Sequence, residues 1–485
     1  MSDSPAGTPA PDPRRWHVLA VCLGAGFITT LDVSIVNVAL PSIEQSLDAT
    51  ATQLQIVVAG YTLAFGLALV PAGRLGDAGA RRTLFIVGMA GFALMSLASG
   101  LAPSGAWLGA ARLLQGVFAG LMNPQVVGLI QQSFSGFERG RAFSMFGASI
   151  GVSTAIGPVL GGLLIAAAGT ADGWRWVFLV NVPVVAVILP FAWRLIPAQA
   201  ARRPGTPRRL DPVGLSLLAV VTVAVMLPFV TTTGVDDDPA RWWWIALAVG
   251  VGALALVWER RYQRRTGAAV LDPGVLGRRS FRNGAVLGMV YFGGFTGIFL
   301  VITLYLQDEV GYTPLQAGLV SLPFAAASGV SAWFSGRGVG RWGRRIVVLG
   351  LVLVLVGVVA SDLVLRLADP ASVGVALAAT LLVAGTGSGL VIAPNQTLTL
   401  SEVPLPSAGV AGSMLQVGQR IGSAVGISVI LSVYYGGIAG GDGAGDAAGR
   451  ALVVTAALVV VALVVGLVDL RSRGADASRR RHADA

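Results

Sequence analysis

The chain has 485 residues, 54% hydrophobic and 12% charged, with a mean hydropathy of +0.75; a soluble domain is nearer a quarter charged, so the composition is that of an all-α polytopic membrane protein. A single cysteine, Cys22, and two histidines, His17 and His482, exclude an internal disulfide, a zinc site and a Ser-His triad within the membrane. Lysine does not occur, which excludes a Walker A loop and ATP use through one; no cofactor and no metal is expected.

The first fifteen residues, "MSDSPAGTPAPDPRR", are polar and Pro-rich without an apolar core, and read as a cytoplasmic tail rather than a signal peptide. Fourteen apolar runs follow, near 17–40, 54–72, 83–101, 107–130, 141–167, 174–195, 212–231, 242–258, 283–305, 315–335, 346–366, 372–395, 409–435 and 450–470. With the N-terminus inside, the cytoplasmic segments and helix ends hold all but six of the 34 arginines. Arg175, Arg241, Arg366 and Arg450 fall outside, beside the acidic Glu44, Asp48, Asp236, Asp237, Asp238, Asp308 and Glu309, while Arg112 and Arg420 lie within runs. By the positive-inside rule both termini are cytoplasmic and the chain sits in the inner cell membrane. Topology, not nucleic acid, accounts for the net charge of +10.

The first run contains "GAGFITTLDVSIVNVALP" (24–41), with one carboxylate, Asp32. A carboxylate in hydrocarbon costs roughly 2.5–3.5 kcal/mol on insertion scales, so something offsets that cost or uses it. The turn "GRLGDAGARR" (73–82) joins the second and third runs, and places Asp77 where a helix N-terminus favours a carboxylate. In the fourth run, "ARLLQGVFAG" sets Arg112 and Gln115 one turn apart. Counted from the outer ends, Arg112 and Asp32 differ in depth by roughly 6 Å, which an arginine spans. A fixed cation makes the carboxylate tolerable, and desolvation against a nearby arginine pulls proton affinity in opposite directions. Separation and re-approach of the pair would load and expel a proton; a static ion pair fixing helix packing is the alternative.

The fifth run, "GASIGVSTAIGPVLGG", carries Gly147, Gly151, Gly157, Pro158, Gly161 and Gly162, small residues that let helices approach and a proline that bends them. "DGWRWVFLVNVP" puts Trp174 and Trp176 at an outer boundary, as "RWWWI" does for the eighth run, and both read as interfacial anchors. Asp362 and Arg366 read as a local pair. In the thirteenth run, "GSMLQVGQRIGSAVG", Arg420 is a second embedded cation with no clear carboxylate in that half. It favours an acidic or zwitterionic substrate, or it pairs with a backbone carbonyl or with Asp32. With no other acid placed deep in the membrane, coupling of the order of one proton per cycle is expected.

Two matches suggest a duplicated six-helix unit. "GRLGDAGARR" resembles "GRGVGRWGRR" (336–345) at an offset of 263, and Gly116, Gly120, Gly140 and Gly157 match Gly385, Gly389, Gly409 and Gly426 at 269. The predicted organisation is a tail at 1–16, a six-helix bundle at 17–195, a linker at 196–282 with two inserted helices (about 212–231 and 242–258), a second bundle at 283–470 and a tail at 471–485.

"LDVSIVNVALP", "GRLGD", "RLLQG", "GPVLGG" and "WRWVFLVNVP" occur in that order and together resemble the fourteen-helix drug/proton antiporters of the major facilitator superfamily. The resemblance implies two bundles rocking around a central cavity and exporting a small molecule against inward proton flow, with multidrug or antibiotic resistance as the outcome. It implies a latch at Gly73, Asp77, Arg81 and Arg82, departing from the family pattern at Ala78 and Ala80, and an antiport role for the fifth run. Asn37, Tyr61, Gln115, Asn123, Gln125, Tyr291, Asn395, Gln416 and Arg420 are the candidate lining of a mostly apolar cavity. The expected partners are a small-molecule substrate, protons and the bilayer, with no nucleic acid or ATP, and the chain acts as a monomer rather than as an enzyme. Export of one endogenous metabolite or self-made antibiotic, and lipid translocation, are the alternatives.

Overall fold

The computed structural model describes residues 13–169, 172–197, 211–230, 239–266, 273–369 and 371–483; residues 1–12 of the expected N-terminal tail and the acidic stretch Asp236 to Asp238 lie outside them. No strand occurs among the described residues. In a bilayer an isolated segment must satisfy its own backbone, and helices do so. Among the described residues thirteen segments are long and apolar enough to cross a membrane. One of them, Thr52–Gly100, has 49 residues, about twice the length that a ~30 Å hydrocarbon layer needs. It reverses at Gly79 (φ 109°, ψ 8°), a conformation open to glycine and strained for other residues.

Fourteen spans result: α1 Arg15–Leu47, α2 Tyr61–Leu75, α3 Arg81–Gly100, α4 Gly105–Ser133, α5 Gly136–Ala168, α6 Asn181–Leu195, α7 Pro212–Val230, α8 Trp243–Thr266, α9 Arg279–Leu304, α10 Pro314–Trp342, α11 Arg344–Leu367, α12 Val373–Leu400, α13 Ala408–Ala439 and α14 Ala444–Ala483. Hydropathy marks only the apolar stretch, so helices overrun the predicted bounds: α1 passes Pro41 to a left-handed stop at Asp48, and α14 continues through the predicted C-terminal tail to Ala483. The predicted sixth helix is one span, Gly173–Leu195; its hydrogen-bond ladder is interrupted at Val180, which keeps helical dihedrals (φ −59°, ψ −27°), and Pro183 accounts for the interruption because its ring opposes the carbonyl of Leu179.

α2 and α3 pack along α4, and α1 along α5; α10 and α11 pack along α12, and α9 along α13. The halves meet where α5 lies on α10 and α13 on α2, while α7 packs on α8 and touches α2 and α13.

The duplication is visible contact by contact. A Cβ on Gly116 would strike the Tyr61 carbonyl, and one on Gly385 the Phe324 carbonyl; Gly120 and Gly389 abut the carbonyls of Phe65 and Ser328 in the same way. Thr50 and Gln53 cap the entry to α2 reciprocally, as Thr313 and Gln316 cap α10. Gly73 abuts the Ser413 hydroxyl across the halves, and Gly336 abuts that of Ser144. One prediction follows for Gly116→Ala, because backbone cannot yield as a side chain tip can. The variant should lose about 1–3 kcal/mol of stability, read as a lower melting temperature in detergent, whereas Gly250→Ala, which meets nothing within 4 Å, should melt as the native chain does.

Candidate functional site

Asp32 lies on the buried face of α1 and is wholly inaccessible. Its Oδ2 accepts from an Arg112 guanidinium nitrogen at 2.6 Å, and its Oδ1 from Gln115 Nε2 at 3.0 Å and Asn181 Nδ2 at 2.8 Å. Arg112 also donates to Gln115 Oε1 at 2.7 Å and from Nε to the Val57 carbonyl at 3.1 Å. Val57 lies in a π-helical turn, Ile56–Gly60, where the widened ladder directs a carbonyl away from its usual partner. The guanidinium also covers the Tyr61 ring, 4.2 Å from its centroid. Three spans therefore meet at one carboxylate, and Val57 and Tyr61, at the entry to α2, join them through Arg112. A buried pair built this way is costly to break from one side, because the remaining charge stays desolvated.

Asn181 and Ser96 are absent from the candidate residues of the sequence. Asn181 donates to Ser96 Oγ at 2.9 Å as well as to Asp32, and Ser96 donates to the Phe178 carbonyl. A lone amide inside an apolar run, two residues before the proline that interrupts the helix, was the available signal. The tryptophans of that stretch part company: Trp176 is half exposed as an interfacial anchor should be, but Trp174 is fully buried against Phe178. Two residues apart on one helical segment, the two rings face opposite ways, and the face carrying Trp174 is turned to the core, which corrects its reading as an anchor.

At the 73–82 turn, Asp77 is buried and accepts from the backbone N–H groups of Gly409 and Val410 at 2.9 Å each. These are orphan donors of the first turn of α13, across the half–half interface. Arg81 donates to Asp77 at 2.5 Å and anchors to the Gly128 carbonyl and Gln132 on α4. Gly73 has no room for a side chain against α13. Arg82 stands apart and donates to the Trp193 carbonyl at the end of α6. In the other half Gly340 replaces Asp77, and Arg344, the counterpart of Arg81, reaches elsewhere: its Nε donates to Asp469 Oδ2 at 2.6 Å, and Asn395 accepts from it too. Asp469 also accepts from Asn283. The second half therefore has a buried acid too, at the inner end of its last span rather than deep in the membrane, where Asp469 faces Arg344.

The glycine-rich fifth span serves two neighbours. Gly157 and Gly161 abut Ser34 and Ile35 of α1, whereas Gly147, Gly151 and Gly162 abut Ala393, Ser328 and Leu315 of the second half, and Pro158 meets Gly318.

The candidate cavity residues divide. Tyr61 and Gln115 belong to the Asp32 cluster, and Asn123 donates weakly to Thr29 at 3.4 Å on the same helix pair. Gln125 is spent on the Ala72 and Leu121 carbonyls, Asn395 on Arg344 and the Gly284 carbonyl, and Tyr291 is buried among Phe292 and Phe295. These three are packing residues in this arrangement. Asn37 is exposed, and Gln416 and Arg420 are half-buried. Arg420 pairs with neither a carbonyl nor Asp32; it stacks 4.7 Å over the Phe65 ring. Asp362 and Arg366 do pair, at 2.9 Å.

Two six-helix halves facing each other, with buried charge clusters between spans and no extramembrane domain among the described residues, are the architecture of a membrane transporter of small molecules. The chain belongs to the Major Facilitator Superfamily, whose family model matches residues 22–427. It is 34% identical over 425 residues to a probable actinorhodin transporter of Streptomyces coelicolor, covering 86% of this chain and 72% of that one. It is 36% identical over 423 residues to the puromycin resistance protein pur8 of Streptomyces alboniger (86% and 81%), and 32% over 417 to the multidrug resistance protein Stp of Mycobacterium tuberculosis (84% and 74%). Among solved structures, the human organic anion transporter MFSD10 aligns with a TM-score of 0.66 at 14% identity (94% of this chain, 100% of that one). The proton:xylose symporter XylE aligns at 0.64 and 14% (93% and 94%). At that identity these two speak for the fold alone.

Proposed function

We propose that this transporter exports amphipathic small molecules, drugs or antibiotics, across the cytoplasmic membrane in exchange for protons, acting as a monomer with both termini inside. The observation that carries the exchange is the Asp32 cluster. The carboxylate is buried among three donors from two other spans, so movement of α1 against α4 and α6 changes what it costs to hold its charge. Proton uptake at Asp32 frees Arg112, which keeps the Val57 carbonyl, Gln115 and the Tyr61 ring. The Asp77 contacts with α13 hold the inner ends of the halves together, which leaves the outer side to open; the close-packed fifth span is the rocking contact. One charge crossing 100 mV is worth about 2.3 kcal/mol, a roughly fifty-fold gradient. Relatives named for resistance or export of antibiotics support the direction of transport. A narrower reading, one antibiotic rather than many, draws on those named for single compounds and is separated by substrate breadth.

The test is dye accumulation in inverted membrane vesicles bearing the native protein. Accumulation is expected only under an inside-acid pH gradient and should collapse when a protonophore is added. Accumulation indifferent to the gradient would overturn proton exchange.

A further inference from the structure

We infer that Arg420 is the anchor for an anionic group on the transported molecule, which is then an amphipathic organic anion or zwitterion. The inference takes its setting from the export reading above, but its own evidence is separate.

Arg420 lies in the middle of α13, on a stripe with Gly409, Ser413 and Gln416 that recurs every three or four residues. At the inner end this stripe is clamped to α2: Gly409 N–H reaches Asp77, and the Ser413 hydroxyl donates to the Leu69 carbonyl at 2.8 Å. Farther out the clamp ends. Among the described residues Gln416 and Arg420 make no hydrogen bond and no ion pair, and both remain half-buried.

A guanidinium keeps its charge in any protein and carries five N–H donors, so a solitary one inside a membrane is expensive to keep. Arg112, the other arginine within a run, is paired with Asp32, and the arginines buried at span ends, Arg81 and Arg344, are paired with Asp77 and Asp469. Asp32 is already held by three donors and by the charge of Arg112, and it forms no ion pair with Arg420. The contact that remains is aromatic. Arg420 lies on Phe65, Phe65 stacks on Tyr61 (6.2 Å between centroids, 25° between planes), and Tyr61 carries Arg112 on its ring. The aromatic pair holds two cations, one neutralised by a protein carboxylate and one not. Stacking fixes the plane of the guanidinium and leaves its edge for a bidentate acceptor, which a carboxylate or a phenolate supplies. Gln416, one turn inward, offers a second polar contact to the same molecule.

The experiment compares two probes that differ in one charge: rhodamine 110, which carries a free carboxylate, and its methyl ester, rhodamine 123. Binding to the purified full-length protein in detergent is read by fluorescence polarisation. The native protein should hold the carboxylate dye more tightly than the ester. Arg420→Gln should weaken the carboxylate dye about ten- to a hundredfold, the worth of a charge-assisted hydrogen bond, and leave the ester unchanged; Arg420→Lys should retain part of the preference. Equal binding of the two dyes by the native protein, absence of carboxylate-dye binding, or an equal loss of both dyes in Arg420→Gln would overturn the assignment. If Arg420→Gln fails to fold, the native comparison and Arg420→Lys still decide. Loss of gradient-driven uptake with the dye preference intact would sink the export reading alone.

Discussion

Asp32→Asn should reduce gradient-driven accumulation to simple equilibration across the membrane while substrate binding persists. The amide has the shape of the carboxylate but does not ionise, so nothing at the buried centre of α1 then alternates between charge states. Its geometry is nevertheless compromised. Arg112, Gln115 and Asn181 all present donors, and an amide places its own NH2 against at least one of them. That mismatch and the uncompensated Arg112 should cost about 1–3 kcal/mol of stability, visible as a lower melting temperature. Arg112→Ala should cost more, about 3–5 kcal/mol, because it strands a buried carboxylate and also removes the bridge to Val57. Joining the two, Asp32→Asn with Arg112→Ala, should cost less than the sum of the single changes, since the two charges are removed together. Normal accumulation by Asp32→Asn would make the pair a packing device and move the coupling site elsewhere.

The second large effect is expected at Asp77. Asp77→Ala removes the Arg81 pair and the acceptor for the Gly409 and Val410 N–H groups. These are charge-assisted bonds to a helix N-terminus, worth about 1.5–3 kcal/mol each, and they exist only while α2 and α13 touch. Losing even one contribution of that size shifts the balance toward an open inner side by about ten- to a hundredfold. Ser413→Cys, in a Cys22→Ser background, places a thiol at this contact where the native side chain is fully buried. Maleimide labelling from the cytoplasmic side should accelerate by that factor when Asp77→Ala is added. An unchanged labelling rate would show that other contacts hold the inner ends closed.

The asymmetry between the two turns bears on this. Arg81 and Arg344 occupy corresponding places, yet Arg81 braces Asp77 toward the opposite half, whereas Arg344 is held within its own half by Asp469 and Asn395. The Gly336 to Ser144 approach therefore closes without an ion pair. Of the two matched contacts, the one between α2 and α13 is the one a change of charge can open.

By itself the sequence determined the number of spans, the reversal at the 73–82 turn, the two offsets of the repeat and the meeting of Asp32 with Arg112. These rest on local quantities: run length against bilayer thickness, the spacing of the runs, residues recurring at fixed offsets, and depth counted along a helix axis. What only the tertiary structure decided was which way each helix faces. Spans that are apolar on all sides carry little periodic signal, so their rotation is set by neighbours rather than by their own pattern. Hence Asn181 turns to Asp32, Trp174 into the core and Asp469 toward Arg344. For the same reason Gln125 and Asn395 are consumed by packing while Arg420 is not. A charge in a run announces that it needs a partner; the three-dimensional packing settles which charges find one within the protein.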